Sequence, residues 1–419
     1  MLSEFTSLLH NAHPLTAVGL LLLAGYLGGR LANRVGAPRV TGYLLAGMAL
    51  SPSLFGLFTE VQIQDDFSVI TDMALGIIAF SIGGTLDFQH MRRLGKTIAV
   101  ITVFQSSAAF LLTALGVGLA FPLIAAAFGQ TELFRGVILP LALLLGAIST
   151  ATAPAATLAV VHEANARGPF TTVLLGVVAL DDGLCILFYA LAAGLAGALL
   201  GGREISLLGS LGEPALHIGL SLTIGAVACG VLWFAAPRVE QAANLLLVSL
   251  GCVFAAVGLA ETLHASALLT GMVLGCGVAN LVPLSHGIFD AVENIEELIF
   301  GLFFVLAGAH LDLRLLGDAS ALAVLFAVSR FLGKLGGAFV GARWVGAPAN
   351  TQKYLGLGLL PTAGVTVGLV LMARELFGDH PAADVMVNAV LASVVINELI
   401  SPLLVRYALV RAGETRATP

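Results

Sequence analysis

The chain is built from long apolar runs separated by short polar connections. Thirteen such segments stand out, at about 14–33, 38–54, 67–85, 97–127, 134–162, 169–200, 214–236, 241–260, 265–282, 294–311, 319–345, 352–376 and 384–409. Runs of about 20 apolar residues match helices that cross about 30 Å of hydrocarbon. No segment alternates polar and apolar positions as a barrel strand does. The first run, Leu15–Leu31, lacks a basic leading region and a small-residue cleavage site, so it reads as a true span rather than a secretion signal. The pattern predicts an all-α polytopic membrane protein of 13 transmembrane helices.

Composition supports this reading. Of 419 residues, 58% are hydrophobic and 11% charged, against roughly 25% charged in soluble domains. The net charge of -6 decides less than its placement. With the N-terminus outside, the inside connections hold 13 Lys and Arg, and the outside ones only Arg135, Arg203, Arg314 and Arg374. That bias puts the N-terminus outside and the C-terminus in the cytoplasm, in a plasma (inner) membrane crossed many times. About ten residues follow the last run, too few for a soluble regulatory or nucleotide-binding domain, so a single transmembrane unit over 1–419 is expected. The four cysteines lie in apolar runs without paired spacing and read as small buried hydrophobes.

Two runs carry helix breakers. STATAPAATLAV (149–160) has Pro154 among small and hydroxyl residues, and LLPTAGVTVGLV (359–370) has Pro361 and Gly364. Proline removes a backbone donor and glycine permits unusual dihedrals, so both helices are expected to unwind near mid-membrane. Irregular backbone at that depth belongs where it lines a cavity. Interruptions at corresponding places in two halves point to inverted repeats with a substrate site between them. Spans four to six would then pair with spans eleven to thirteen.

The buried charges define the candidate chemistry. Asp181 and Asp182 stand side by side in VVALDDGLCILFYAL, about 12 residues into their span, where an unpaired carboxylate costs several kcal/mol. Neighbouring helix positions point about 100° apart, so the two cannot share one contact. Lys334 lies at similar depth and is the expected partner of one of them. The other, desolvated beside a like charge, can hold a proton or a small monovalent cation but not both, which is the minimum machinery of an exchanger. Carbonyls freed at the breaks and the hydroxyls of Thr152 and Thr157 are candidates to complete an oxygen shell. Arg330, one turn before Lys334, is expected to pair with a structural acid, Glu297 or Glu398. Asp72 and Asp87 read as groups near span ends. Asp290, Glu293, Glu296 and Glu297 form a solvated acidic face, and His162 and Glu163 close the fifth span.

With these residues in hand, the chain resembles the monovalent cation:proton antiporter superfamily, particularly its NapA/NhaA-like branch and the Kef-like relatives. The resemblance covers essentially the whole chain and is carried by TAPAATLAV, ALDDG, RFLGKLGG and LLPTAGVTVGLVL. It implies that Asp182 carries the ion and proton and that Asp181 partners Lys334. It also implies a mobile core domain at about 67–200 and 294–409, moving elevator-fashion against a dimerisation scaffold at about 14–54 and 214–282. One departure is that the first broken helix reads Thr152-Ala-Pro where many relatives place an aspartate.

The expected function is exchange of Na⁺, or K⁺ or Li⁺, for H⁺ in pH homeostasis, with two protons per cation by analogy. A Kef-type K⁺ efflux unit and a sodium-coupled organic-solute symporter are the alternatives. Expected partners are the cation, H⁺, the lipid bilayer and a second copy in a homodimer, with no cofactor and no nucleic acid. No nucleophile or cofactor constellation points to an enzyme.

Overall fold

The structure, a computed structural model, describes residues 13–52, 54–58, 67–84, 86, 88–120, 136–201, 207–239, 242–283, 285–309, 321–362, 364–378 and 380–415. Asp87, Arg135, Arg203, Arg314 and Arg416 lie outside these residues. Among the described residues the chain is helical, with no strand.

In order, the helices are α1 (Pro14–Arg34), α2 (Arg39–Leu50), α3 (Ser68–Gly84), α4 (Phe88–Leu115, continued by a π turn, Gly116–Ala120), α5 (Ile138–Ile148), α6 (Pro154–Glu163) and α7 (Pro169–Gly201). There follow α8 (Leu207–Ala235), α9 (Ala242–Thr262), α10 (Ala267–Leu281), α11 (Ser285–Ala309) and α12 (Ala321–Trp344). The chain ends with α13 (Ala349–Tyr354, leading into a 3₁₀ turn, Leu355–Leu359), α14 (Gly364–Phe377) and α15 (Ala382–Ala412). Each apolar run of the sequence falls on one of these helices or on a pair of helix halves. Among the described residues, seven helices, α1, α4, α7, α8, α9, α12 and α15, are long and apolar enough to cross a membrane. The apolar parts of α3, α5, α10, α11 and α14 are shorter.

Both predicted interruptions are present. The first broken helix consists of α5 and α6, separated at 149–153, and the second of the α13/3₁₀ segment and α14, with the non-helical residues 360–362 before α14. Pro154 opens α6, where its missing N–H costs nothing. Gly364 opens α14.

The helices gather into two compact units. The first holds 1–91, 158–165 and 217–314, and the second 92–157, 166–216 and 315–419. In the first, helices pack through glycines that let backbones touch. A Cβ on Gly28 of α1 would sit 2.4 Å from the Gly42 carbonyl of α2. The N-terminus of α2 has no side-chain cap of its own. Glu163 supplies one, taking the Arg39 N–H on both carboxylate oxygens at 2.9 and 2.7 Å. Helices α3 and α11, which the resemblance grouped with the broken helices, fall in this first unit, α3 packed on α10 and α11 on α2.

The second unit collects α4, α5, α7, α12, the α13/3₁₀ segment, α14 and α15. These are the spans that the sequence pairs as repeats. Here α12 docks on α4 through Gly333 and Gly337. A Cβ at Gly333 would lie 2.5 Å from Ala109 Cα, and one at Gly337 2.6 Å from Gln105 Cα. Small residues four apart let membrane helices approach this closely, and the approach carries Lys334 into the unit's interior.

Candidate ion-binding site

The two breaks meet. Ala153 N–H donates to the Pro361 carbonyl at 2.8 Å, one interruption hydrogen-bonded directly to the other. Thr157 Oγ1 donates to the Gly358 carbonyl at 3.1 Å, fastening α6 to the 3₁₀ turn. Helix halves ending at a break present carbonyls without intrahelical partners and a negative dipole end. Arg330 answers this demand, donating from Nη1 to the Leu360 carbonyl at 2.8 Å and from Nη2 to the Ala151 carbonyl at 2.7 Å. Its guanidinium is thus a clip across both interruptions.

This corrects the expectation that Arg330 pairs with an acid. Neither candidate meets it. Glu297 pairs with Arg39 on an exposed surface of the first unit, and Glu398 has no hydrogen-bond partner on either carboxyl oxygen. The physical reason is that a carbonyl-lined helix break is itself an anionic site. It offers a buried guanidinium several acceptors without a second desolvated charge.

Lys334 and Asp181 form a buried ion pair, as depth predicted for one of the two aspartates and as the resemblance implied for Asp181. Lys334 Nζ donates to Asp181 Oδ2 at 2.7 Å, both side chains being fully buried. The ammonium also donates to Thr152 Oγ1 at 2.8 Å and to the Thr150 carbonyl. Asp181 receives further donors from Gln105 Nε2 at 2.6 Å, from Ser106 Oγ and from Thr152 Oγ1. Both Asp181 oxygens are thus fully occupied, each accepting from two side-chain donors.

Asp182 is placed differently. It is 4% exposed, and its Oδ1 has no hydrogen-bond partner. The two carboxylates of α7 therefore divide as their angular separation requires, one committed and one open. Thr152 lies beside Asp181 and Lys334, and Thr157 is engaged with the 3₁₀ turn. No hydrogen bond among the described residues joins either threonine to Asp182. Three carbonyls expected to be available at the breaks, those of Thr150, Ala151 and Leu360, are taken by Lys334 and Arg330.

Gln105 and Ser106 on α4 are site residues that the sequence reading did not single out. The signal was the polar pair in VFQSSAAF, midway along an otherwise apolar run. Elsewhere, His162 packs edge-on against Phe300, and the cysteines are free thiols, with Cys185 buried beneath Asp182's turn.

Several known proteins are similar to this chain along most of its length. The chain is 22% identical over 400 residues to the Na⁺/H⁺ antiporter of Enterococcus hirae, covering 93% of this chain and 96% of that one. It is 22% identical over 395 residues to the Na⁺/H⁺-K⁺ antiporter GerN of Bacillus cereus, covering 93% and 95%. Among solved structures, the sodium proton antiporter MjNhaP1 of Methanocaldococcus jannaschii superposes with a TM-score of 0.72 at 18% identity, over 96% of this chain and 99% of that one. The family model for the transmembrane region of sodium/hydrogen exchangers matches residues 18–410, and the chain belongs to the sodium/hydrogen exchanger family.

Proposed function

We propose that this protein is a secondary antiporter exchanging a monovalent cation, Na⁺ before K⁺ or Li⁺, for H⁺. The observation that carries the proposal is Asp182, a buried carboxyl with an open oxygen beside a fully bonded Asp181–Lys334 pair where two broken helices meet. A proton neutralises such a group in one half of the cycle and a desolvated cation does so in the other, and each excludes its rival. Asp181 and Lys334 keep the neighbouring charge balanced in both halves. The relatives named as Na⁺/H⁺ antiporters support the same reading.

In this reading thirteen spans cross a plasma (inner) membrane, with the N-terminus outside and the C-terminus in the cytoplasm. The chain works as a homodimer in pH homeostasis. The second compact unit is the mobile core, and the first contributes the scaffold, with α3 and α11 counted there on the strength of their packing. Alternating access is elevator-type movement of the core.

The test uses purified protein in proteoliposomes containing a pH-sensitive dye. Na⁺, K⁺ and Li⁺ gradients are imposed across a pH series, with and without valinomycin. Cation-driven proton movement is expected, with Na⁺ the best substrate. K⁺ flux without proton movement would replace the proposal with a channel-like efflux unit.

A further inference from the structure

A second carboxyl lies in the interior of the core, outside the assembly around Asp182. Glu398 of α15 is 3% exposed, and neither of its oxygens has a hydrogen-bond partner. Three hydroxyls of α15, α14 and the second break are in the same condition. Ser401, Thr362 and Thr366 are each buried, and none has a partner for its Oγ. Glu398 and Ser401 are three residues apart, on one helix face. Thr362 lies in the second break, and Thr366 in the first turn of α14.

The connectivity puts Thr362 and Glu398 at one height. Helices α14 and α15 pack against each other across a short connection. Thr362 lies about 15 residues before the end of α14 and Glu398 about 16 after the start of α15, so at about 1.5 Å per residue the two are level. The 3₁₀ turn that leads into the break also packs on α15.

The backbone adds a further feature. Pro402 stands inside α15, four residues after Glu398, and has no N–H to return to the Glu398 carbonyl. Interior proline also pushes that carbonyl outward. The helix therefore lacks one backbone hydrogen bond at the residue whose side chain is unpartnered.

Charged groups on the surrounding helices are engaged or distant. On α12, Arg330 and Lys334 are bonded to the breaks and to Asp181, and Arg343 is in the last turn. On α7 the charges are Asp181 and Asp182. Lys353 of α13 and Arg374 of α14 lie in their helices' last turns, and Tyr354 packs on Tyr407. None of these forms an ion pair or hydrogen bond with Glu398 among the described residues. An ionised carboxylate so placed has no compensation, whereas a carboxylic acid is neutral and brings its own donor.

We propose that Glu398, at the turn of α15 interrupted by Pro402 and with Ser401 on its face and Thr362 level with it on the second break, is a second proton-binding site of the core whose occupancy sets the pH dependence of exchange. Proton binding stands by itself, and only the control of exchange rests on the antiport reading. Bound proton neutralises the acid in the apolar interior. Its release requires the Pro402 turn and the second break to admit water, which ties the site to the conformation of the broken helix.

The two parts are tested separately. Infrared difference spectra of the Asp182→Asn protein in detergent, recorded across pH, isolate Glu398 from the carrier. The expected result is a protonated-carboxyl band that titrates reversibly and disappears in Asp182→Asn/Glu398→Gln. A band that is absent, does not change with pH, or survives Glu398→Gln overturns the site. In proteoliposomes, Glu398→Gln should displace the pH of half-maximal exchange by about one unit or more with the cation KM unchanged. Should the amide variant not fold, Glu398→Asp must still displace the profile. A wild-type profile in the variants overturns the regulatory role. Absence of exchange in the wild type refutes the antiport reading instead, and the infrared result is unaffected.

Discussion

A carboxylate surrounded by four side-chain donors and one with a bare buried oxygen respond oppositely when altered. Lys334→Ala strands Asp181 as an uncompensated charge, and breaking a buried pair from one side costs about 3–5 kcal/mol. Asp181→Asn/Lys334→Met removes both charges and should restore much of that loss, since buried pairs tolerate joint neutral replacement. Thermal melts of the purified single and double variants check this, and equal losses in both would mean that the pair is not the source of the stability. Asp182→Asn changes an open position to an isosteric neutral group. Its melt should match wild type while cation-driven proton flux is abolished. Retained flux would move the carrier elsewhere. That Lys334 pairs with one of the two aspartates was legible in the sequence because opposite charges at one depth in apolar runs have few other partners, and the resemblance singled out Asp181. Gln105 and Ser106 were not, since small polar residues in a span say nothing about which helix lies opposite. Arg330 was misassigned for a related reason. Its acceptors are main-chain carbonyls, which have no letter in the sequence.

At the scale of elements, the geometry depends on how closely α12 approaches α4 and on what anchors α7. Gly337 has Gln105 Cα where its Cβ would be, at 2.6 Å, whereas a Cβ on the adjacent Gly336 would meet nothing within 4 Å. Gly337→Leu should therefore cost at least about 1–3 kcal/mol by overpacking and abolish exchange by drawing Lys334 away from Asp181. Gly336→Ala should leave melt and flux unchanged. Loss of both activities in Gly336→Ala would mean that the face, rather than the close approach, is what matters. At the start of α7, the Glu414 carboxylate accepts the Phe170 N–H at 2.7 Å and the Thr171 N–H at 2.8 Å. A carboxylate on these orphan donors also complements the helix dipole. Glu414→Ala should lower stability by about 0.5–2 kcal/mol, read in the same melts. The sequence could locate α7 and both breaks, because apolar length and Pro154, Pro361 and Gly364 are local signals. The Glu414 cap joins residues more than 240 apart and has no local signature.

For the whole molecule, the inventory of helices is easier to read from apolar patterning than their partition is. Hydrophobic length marks a helix but is blind to which neighbour it packs on. Helices α3 and α11 accordingly entered the first unit through packing on α10 and α2, outside the grouping inferred from resemblance. That partition makes a prediction about motion. All the groups that hold the candidate site, from Gln105 to Lys334, belong to the second unit, so exchange by elevator movement should leave distances within that unit fixed. Spin labels can be placed at the exposed positions Val324 of α12, Met372 of α14 and Leu247 of α9 in a cysteine-free background. The Val324–Met372 distance should be the same at low pH and at high pH with Na⁺. The Val324–Leu247 distance should redistribute between those conditions under the proposed cycle, in which the cation and the proton bind the same carboxyl in states that face opposite sides. A change within the second unit would mean that access alternates by local opening of the broken helices. An inter-unit distance that never redistributes would rule out rigid-body movement as the transport step.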